Sequence, residues 1–217
     1  MRTSAIALFV LSVLVSVGVR ADVDRLNDAT AVLKEMAGTF DSDIPKDLFT
    51  KAECVVIIPG MKKGAMGFGG QYGRGYMICR TKGGWSAPSG MRIEGGSVGF
   101  QIGGSSTDVI LLVMSGRGVD KLLDSKFTVG ADAAVAAGPL GRQASAQTDV
   151  TMHAEMLAWS RSRGVFAGVS LQGSTLRTDG DENKELYGKD IAAKDIVRGN
   201  MKAPAAAKEL MAALAQY

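Results

Sequence analysis

The sequence predicts an α+β fold in which a glycine-rich, mainly antiparallel β-sheet or partial barrel is packed by N- and C-terminal helices. Fifteen of the chain's 28 glycines fall between Gly60 and Gly104. Within residues 54–113, short apolar runs alternate with Gly, Pro and Ser, which is typical of antiparallel meanders rather than βαβ units. Helical patterns flank this region, and no linker or second core separates them. We therefore expect a single domain over residues 22–200, followed by a C-terminal helical tail over 201–217.

Residues 1–21 have the features of a secretory signal peptide. Arg2 supplies a short positive region, residues 4–19 are uncharged and mostly apolar, and the residues around Ala21 suit cleavage before Asp22. The alternative is a transmembrane anchor, but these sixteen uncharged residues are fewer than the ~20 that span a bilayer. We therefore expect an exported chain, periplasmic or secreted after cleavage near Ala21.

The charge balance of the mature chain excludes a strongly basic nucleic-acid binder. The full sequence has 25 Lys and Arg against 22 Asp and Glu. Removing residues 1–21 takes away Arg2 and Arg20, so 25 − 2 = 23 basic residues face 22 acidic ones, and the net charge falls from +3 to about +1. A nucleic-acid interface needs a concentrated field of Lys and Arg. We therefore predict no nucleic-acid partner.

Helices and further strands are predicted on both sides of the sheet region. Residues 22–40 fit an amphipathic helix, because apolar residues recur at three- or four-residue steps with one longer gap. A second short helix is expected within 43–53, where Pro45 lies in the first turn and its missing N–H costs no hydrogen bond. The remaining predictions are a helix at 118–125, an extended segment with a turn at 127–142, a strand or helix at 151–164, a strand at 165–177, and helices at 184–199 and 203–216.

The stretch GAMGFGGQYGRGYMICR, residues 64–80, has the glycine content of a nucleotide loop but not its pattern. Tyr72 stands where a GxGxxG motif begun at Gly67 and Gly69 requires its third glycine, and a strand-like run follows instead of a helix. At period two the larger side chains fall mainly on one face and glycines dominate the other. A glycine-lined face indicates close approach of a backbone or ligand, or sharp bending. We favour a strongly coiled, tightly packed sheet.

No catalytic constellation emerges from the sequence. The segment GGSVG at 95–99 matches GxSxG, but Ser97 leads into a strand-like run where a nucleophile elbow requires a helix. Asp132 or Asp149, followed by His153, has the order of a hydrolase triad, although we expect His153 to be structural. We therefore predict no enzyme activity and no cofactor.

Cys54 and Cys79 lie in separate apolar, strand-like runs of a chain expected to reach an oxidising compartment. They form a disulfide if neighbouring strands bring them together, and otherwise they pack as two buried free thiols. Two cysteines without CxxC spacing and one histidine do not make a structural zinc site. The acidic run 179–185 lacks the residue order of a calcium loop, and we predict a solvated turn there.

Five cations around the glycine-rich stretch are the predicted binding residues. The set is Lys62, Lys63, Arg74, Arg80 and Lys82. The two lysines stand next to Met61 and Met66, which we expect to be exposed. A small basic surface with apolar neighbours suits an anionic lipid headgroup. The alternative is that each of the five is an ordinary surface cation.

Several longer motifs resemble the SYLF domain family in order and spacing. They are IIPGMKKGAMGFGGQYGRG (57–75), WSAPS (85–89), GGSVGFQIGG (95–104), TDVILLVM (107–114), VGADAAVAAGPLGR (129–142) and SRSRGVFAGVSLQGS (160–174). The resemblance extends over roughly residues 22–199 and is far more specific than a single glycine motif. It implies a non-enzymatic phospholipid-binding domain of the exported bacterial kind, without an obligatory metal.

Two departures limit what the resemblance implies. Eukaryotic members are linked to a basic amphipathic N-terminal segment, whereas this N-terminal helix begins with Asp22, Asp24 and Asp28. No SH3 domain is recognised within these residues, so a cytoskeletal role is not carried over. The predicted function is recognition of anionic phospholipid headgroups at a membrane surface. The alternative is a structural or interaction protein of the cell envelope that acts on a protein partner of unknown identity.

Overall fold

The computed structural model describes residues 23–37, 44–124, 127–132, 135–138, 154–162, 165–166, 171 and 173–217. The helices are α1 (23–37), α2 (Lys46–Lys51), α3 (Gly116–Leu123), α4 (Gly180–Tyr187), α5 (Ala193–Arg198) and α6 (Lys208–Leu214), with a 3-10 turn at Ala205–Ala207. The strands are β1 (Cys54–Thr81), β2 (Gly84–Trp85), β3 (Ser89–Val113), β4 (Phe127–Thr128), β5 (Val135–Ala137), β6 (Met156–Ser162), β7 (Val165–Phe166) and β8 (Thr175–Thr178). The predicted signal peptide lies outside the described residues.

The sheet is built on one long antiparallel hairpin of β1 and β3. Their pairing runs from Cys54 opposite Val113 to Met77 opposite Ser89, with two shifts of register on the way. Strand β6 pairs with the C-terminal half of β3 and β8 with its N-terminal half, both antiparallel, whereas β5 joins β6 in parallel. The resulting eight-stranded sheet curls into a half-barrel. This arrangement confirms the predicted α+β fold.

Glycine allows the two halves of β1 to pack closely against each other. A Cβ atom at Gly75 would overlap the carbonyl oxygen of Ile57, and a Cβ at Gly73 would lie 2.7 Å from Cγ2 of Ile58. At the ends of the strand, the backbone N–H of Arg80 donates to the carbonyl of Glu53 at 2.7 Å. The short apolar runs of residues 54–113 therefore do not mark separate strands, because the glycines let two long strands coil without a break.

Cys54 and Cys79, near the two ends of β1, form a disulfide in the structure. Both residues are buried, at 0% and 5% exposure. The bond joins two points of the chain 25 residues apart, so it closes the same loop that the coiled strand already brings together. Of the two alternatives that the sequence left open, the structure contains the disulfide.

Two apolar clusters cover the two faces of the sheet, as the alternation of side chains along a strand requires. The first lies beneath α1, α2 and α6 and includes Leu26, Leu33, Met36, Phe49, Tyr76, Ile78, Trp159, Leu210 and Leu214. The second lies on the opposite face and includes Val56, Ile58, Met61, Met77, Met91, Ile93, Leu111, Phe127, Leu176 and Val197. Helix α6, in the predicted C-terminal tail, thus contributes to the first cluster.

The C-terminal third differs from the sequence-based expectation in three places. The predicted strand at 165–177 is not continuous, because β7 pairs with β6, β8 pairs with β3, and Gly173 between them has φ of 79°. The predicted helix at 184–199 ends at Gly188, which has φ of 69°, and α5 begins separately. The acidic run 179–185 is not a solvated turn, because most of it belongs to α4.

Candidate functional site

A buried ionic network joins α1, β1 and α4. Arg74 on β1 donates from Nε to Oδ2 of Asp179 at 2.7 Å, and its Nη2 lies 3.1 Å from Oε2 of Glu182. Arg25 on α1 and the hydroxyl of Tyr76 donate to the same Glu182 carboxylate. Asp179 and Glu182 are fully buried. The network therefore fixes Arg74 in place, since a buried carboxylate left without a partner would be strongly unfavourable.

Helix α4 is attached to β3 at Gly90. Asp179 is its N-cap, and the Asp179 side chain accepts a hydrogen bond from the backbone N–H of Glu182. The backbone N–H of Gly90 donates to Oδ1 of Asn183 at 2.7 Å, while its carbonyl accepts from the N–H of Asp179 at 2.9 Å. These contacts place both buried carboxylates over the sheet face that carries Arg74.

The charged partners shift the pKa values within this network. Burial alone would raise the pKa of Asp179, but the hydrogen bond from Arg74 and the N–H of Glu182 hold it below its ordinary value. Burial alone would lower the pKa of Arg74, and its two carboxylate partners raise it instead. Burial and then the charge of Glu182 raise the pKa of Tyr76. At neutral pH the two arginines and the Asp179 carboxylate are charged, and the phenol is neutral.

Three arginines lie side by side on one face of the sheet, one on each of three neighbouring strands. Arg74 on β1 is directly opposite Arg92 on β3, and Arg92 is directly opposite Arg177 on β8. We call these residues the arginine row. Like charges that face each other across strands repel, so the row requires compensation. Arg74 receives it from Asp179 and Glu182, as described above.

Arg92 and Arg177 share one carboxylate, that of Glu94. Nη2 of Arg177 donates to both oxygens of Glu94, at 2.8 and 2.6 Å. Nε of Arg92 lies 3.3 Å from Oε1 of Glu94, as an ion pair without a hydrogen bond. The Nε atoms of both arginines are buried and have no hydrogen-bond partner within the described part of the chain. The carboxylate therefore neutralises the pair incompletely.

An open cleft of about 600 Å³ lies over the first two arginines of the row. Its lining residues are Tyr72, Arg74, Arg92, Asp181, Lys184 and Glu185. Tyr72 is 48% exposed and is the one large hydrophobic side chain found exposed among the described residues. The cleft thus combines an aromatic ring with two guanidinium groups, and its outer rim carries side chains of both charges.

The structure does not bring the five predicted binding residues together. Arg74 alone lines the cleft. Lys62 and Lys63 are consecutive on β1 and so point to opposite faces, and Lys62 shares a second cleft, of about 380 Å³, with the acidic Asp108. Lys82 is exposed in the turn after β1. Met61, which was predicted to be exposed, is fully buried in the second apolar cluster, and nothing is described of the Met66 side chain.

Arg80 holds structural elements together and lines neither of the two clefts described above. Its Nη2 donates to the carbonyls of Phe49 at 2.9 Å and Tyr217 at 3.0 Å, and its Nε donates to Ala52. The guanidinium carbon lies 4.3 Å from the ring centre of Trp85, as a cation–π contact. Through these contacts Arg80 connects α2 and the C-terminal residues to β1.

The catalytic motif rejected from the sequence has no structural support in the described residues. Ser97 lies in the middle of β3 and pairs with Gly69, so no strand–serine–helix elbow exists there. His153 and Asp149 lie outside the described residues. Within the described residues no group of three or more His, Cys, Asp or Glu side chains is arranged to hold a metal ion. No helix among them has the length and apolar character needed to cross a membrane.

Sequence reasoning missed Glu94, Arg92, Arg177 and the two buried carboxylates of α4. One signal was available for the carboxylates. Asp179 and Glu182 have the D-x-x-E spacing of a helix N-terminus, in which the first residue caps the helix. That spacing predicts a helix start and argues against a solvated turn. The arginine row had no comparable signal, because its members are far apart in sequence.

Comparison with known proteins identifies the family to which this chain belongs. The chain matches the Ysc84 family, described as "Las17-binding protein actin regulator", over residues 94–217, more than half of its length. It is similar to an SH3 domain-containing protein of Schizosaccharomyces pombe, with 39% identity over 171 residues that cover 77% of this chain and 40% of the relative. Protein YSC84 of Saccharomyces cerevisiae is 34% identical over 175 residues, which cover 79% of this chain and 37% of that protein.

A human relative, SH3 domain-containing YSC84-like protein 1, is 35% identical over 172 residues, covering 78% of this chain and 50% of that protein. The chain therefore spans half or less of the length of these relatives. The family match begins at Glu94 within β3 and covers the later strands, α4 and the C-terminal helices. The chain belongs to the Ysc84 family, the SYLF domain family that its motifs resemble.

Proposed function

We propose that this protein is a non-enzymatic module that binds anionic phospholipid headgroups at the arginine row. The observation that carries the proposal is the pairing of Arg92 and Arg177 with a single carboxylate, which leaves both Nε atoms without partners within the described residues. Guanidinium groups bind phosphoryl oxygens through paired N–H donors. A headgroup phosphate supplies the acceptors that this pair lacks.

The inner part of the site carries one more positive group than negative groups. The arginines of the network and row are Arg25, Arg74, Arg92 and Arg177, and their carboxylate partners are Asp179, Glu182 and Glu94. Four positive groups therefore face three negative ones. Lys184 adds a further exposed cation at the rim, and the acidic Asp181 and Glu185 reduce the charge there. With the rim included, five positive groups face five negative ones, so attraction for an anion is confined to the inner arginines, which suits a headgroup more than a long polyanion.

Tyr72 favours a ligand at a membrane surface over a free anion. An exposed tyrosine has an apolar ring and a polar hydroxyl, and such side chains prefer the interface between headgroups and hydrocarbon. Tyr72 lines the same cleft as Arg74 and Arg92. A headgroup at the arginines would bring its lipid to this ring. Export through the predicted signal peptide would place the protein at an envelope membrane, and this location is part of the proposal.

Vesicle flotation tests the proposal. Wild-type protein should float with vesicles of phosphatidylcholine containing phosphatidylglycerol and remain unbound with pure phosphatidylcholine. Arg92→Gln should reduce the bound fraction several-fold, since it removes one of the two guanidinium groups. Arg117→Gln is the matched control. Arg117 on α3 is 84% exposed, and its ion pair with Glu155 is long, at 3.9 Å. Equal retention of wild type and Arg92→Gln would refute the site.

The predicted lysines require a separate comparison. Lys62→Gln with Lys63→Gln should retain vesicle binding, because the two side chains point to opposite faces and Lys62 is near acidic groups. If only this double variant loses binding, the headgroup site lies at the lysines originally predicted. If neither wild type nor variants float with anionic vesicles at low salt, the module acts on a protein partner. The family's description as Las17-binding favours that second function.

A further inference from the structure

We propose that the carboxylate of Glu94 is an internal competitor for the anion that the arginine row binds. In this proposal Glu94 occupies the position of the ligand's anionic group and must leave Arg92 and Arg177 before a phosphoryl group can bind there. The proposal rests on the proposed function, and it adds a residue that sets the affinity and selectivity of the same site.

The contacts of Glu94 resemble those that a bound anion would make. Its two oxygens accept from one nitrogen of Arg177, at 2.8 and 2.6 Å, and its Oε1 lies 3.3 Å from Nε of Arg92. Glu94 lies two residues after Arg92 on β3, so both side chains are on the same face of the sheet. A single carboxylate is thus held between two guanidinium groups that stand on neighbouring strands.

These contacts are incomplete in a way that an incoming phosphoryl group would improve. The strong arrangement between a guanidinium and an oxyanion uses two parallel N–H donors and two oxygens. Glu94 instead receives both of its hydrogen bonds from one nitrogen, and the buried Nε atoms of both arginines have no hydrogen-bond partner among the described residues. A phosphoryl group whose oxygens point in different directions can serve both arginines at once.

Glu94 is free to leave the site, whereas the carboxylates beside Arg74 are not. The Glu94 side chain is 36% exposed, so it can rotate into water without being buried in a new environment. Asp179 and Glu182 are 0% exposed and have their own buried partners. The row therefore has one permanently neutralised arginine and two whose counter-ion is exchangeable. Because an incoming anion must displace Glu94, it binds more weakly than it would bind to two unpaired arginines. Weakly charged ligands are therefore disfavoured.

The test compares wild type with Glu94→Gln, which keeps the shape of the side chain and removes its charge. Dissociation constants are measured with phosphatidylcholine vesicles containing phosphatidylglycerol, and separately with inorganic phosphate by calorimetry. Glu94→Gln should bind anionic vesicles about fivefold more tightly, a gain equal to about one exposed ion pair. The gain should shrink at high salt, since the site is partly exposed.

A matched control removes the same charge away from the row. Asp190→Asn also raises the net charge by one unit, but Asp190 is an exposed residue beyond the end of α4. The affinity of Asp190→Asn for anionic vesicles should stay near that of wild type. If Asp190→Asn gains as much as Glu94→Gln, the effect is general attraction and the competitor role is refuted. Thermal unfolding temperatures close to that of wild type show that both variants are folded.

The remaining outcomes separate this proposal from the function on which it rests. If wild type binds, Arg92→Gln binds less and Glu94→Gln binds no better than wild type, the headgroup site stands and the competitor role is overturned. If neither wild type nor Glu94→Gln binds anionic vesicles, both proposals fail. If Glu94→Gln gains affinity for inorganic phosphate as well as for vesicles, the phosphoryl group is the chemistry recognised. If the gain in affinity is confined to vesicles, the lipid headgroup is recognised. Both results support displacement of Glu94.

Discussion

A Cβ atom on Gly90 would lie 2.6 Å from the Cβ of Glu182. Strand β3 and helix α4 therefore approach at a point where only hydrogen fits. The approach places the Glu182 carboxylate where Arg25, Arg74 and Tyr76 all reach it. A glycine, which has no side chain, thus determines the geometry of the ionic network beside the arginine row.

Gly90→Ala should lower the free energy of unfolding by about 1–3 kcal/mol, the usual cost of forcing extra volume into a packed contact. Either α4 moves away from β3 or Glu182 leaves its partners. Urea unfolding followed by circular dichroism measures the change. Gly180→Ala is the matched control, because a Cβ there meets nothing within 4 Å and lies in the first turn of α4. A control variant as unstable as Gly90→Ala would contradict the packing argument.

Glu182→Gln should destabilise the fold by about 3 kcal/mol, because it leaves two arginine side chains partly buried without their shared charge. The substitution preserves volume, so the loss would report the charge and not the packing. Chemical unfolding at pH 7 measures it. Glu185→Gln on the next turn of α4 is exposed and should change stability by less than about 0.5 kcal/mol. Similar losses in the two variants would show that the buried network contributes little.

The fold class was predictable because strands and helices leave local patterns. Alternating apolar runs identified the sheet region, and helical spacing identified the segment that forms α1. The lengths of β1 and β3 were not predictable, because glycine within a run is a local sign of a break. Gly75 serves a non-local purpose instead, since Ile57 of the same strand crosses beside it. A single sequence does not reveal which distant backbone a glycine will meet.

The candidate site was predictable only where its members carry a local signature. Arg74 stood out among the glycines of β1. Arg92 and Arg177 become neighbours through the pairing of β3 with β8, which depends on register between segments 85 residues apart in number. A register shifted by one residue would have turned one of them to the opposite face. Clustering cations by sequence proximity therefore grouped Lys62, Lys63 and Lys82 with Arg74, although the fold separates them.

Acid should weaken the fold through Asp179. Its pKa is held below the ordinary value of 3.8 in the folded chain. The ionised carboxylate is therefore favoured by folding, and its contribution is fully present above that ordinary pKa, which the group has in the unfolded chain. The contribution is lost as the pH falls through the lower folded pKa. Asp179→Asn keeps a good N-cap but loses the charge, so it should be less stable than wild type at pH 7.

The stability difference between Asp179→Asn and wild type should narrow as the pH drops below about 4, where the wild-type carboxyl takes up its proton. Urea unfolding at intervals between pH 7 and pH 2 measures the difference. A gap that stays constant across this range would mean that the hydrogen bond from Arg74 stabilises the protonated and ionised carboxyl equally. Such a result would contradict the ionic account of the network.

Reduction of the Cys54–Cys79 disulfide should lower the free energy of unfolding by about 3.5 kcal/mol, the chain-entropy value for a loop of this size. The two residues are 25 apart in sequence, so the bond restricts the unfolded chain over the whole length of β1. Folded structure should survive, because the N–H of Arg80 still bonds the carbonyl of Glu53 and the crossing at Gly75 remains packed. Urea unfolding with and without reductant measures the loss.

The double variant Cys54→Ala with Cys79→Ala should match the reduced protein in stability, apart from the smaller side chains, and should not respond to reductant. Equal stability of oxidised and reduced wild type would show that the coiled strand alone holds its ends together.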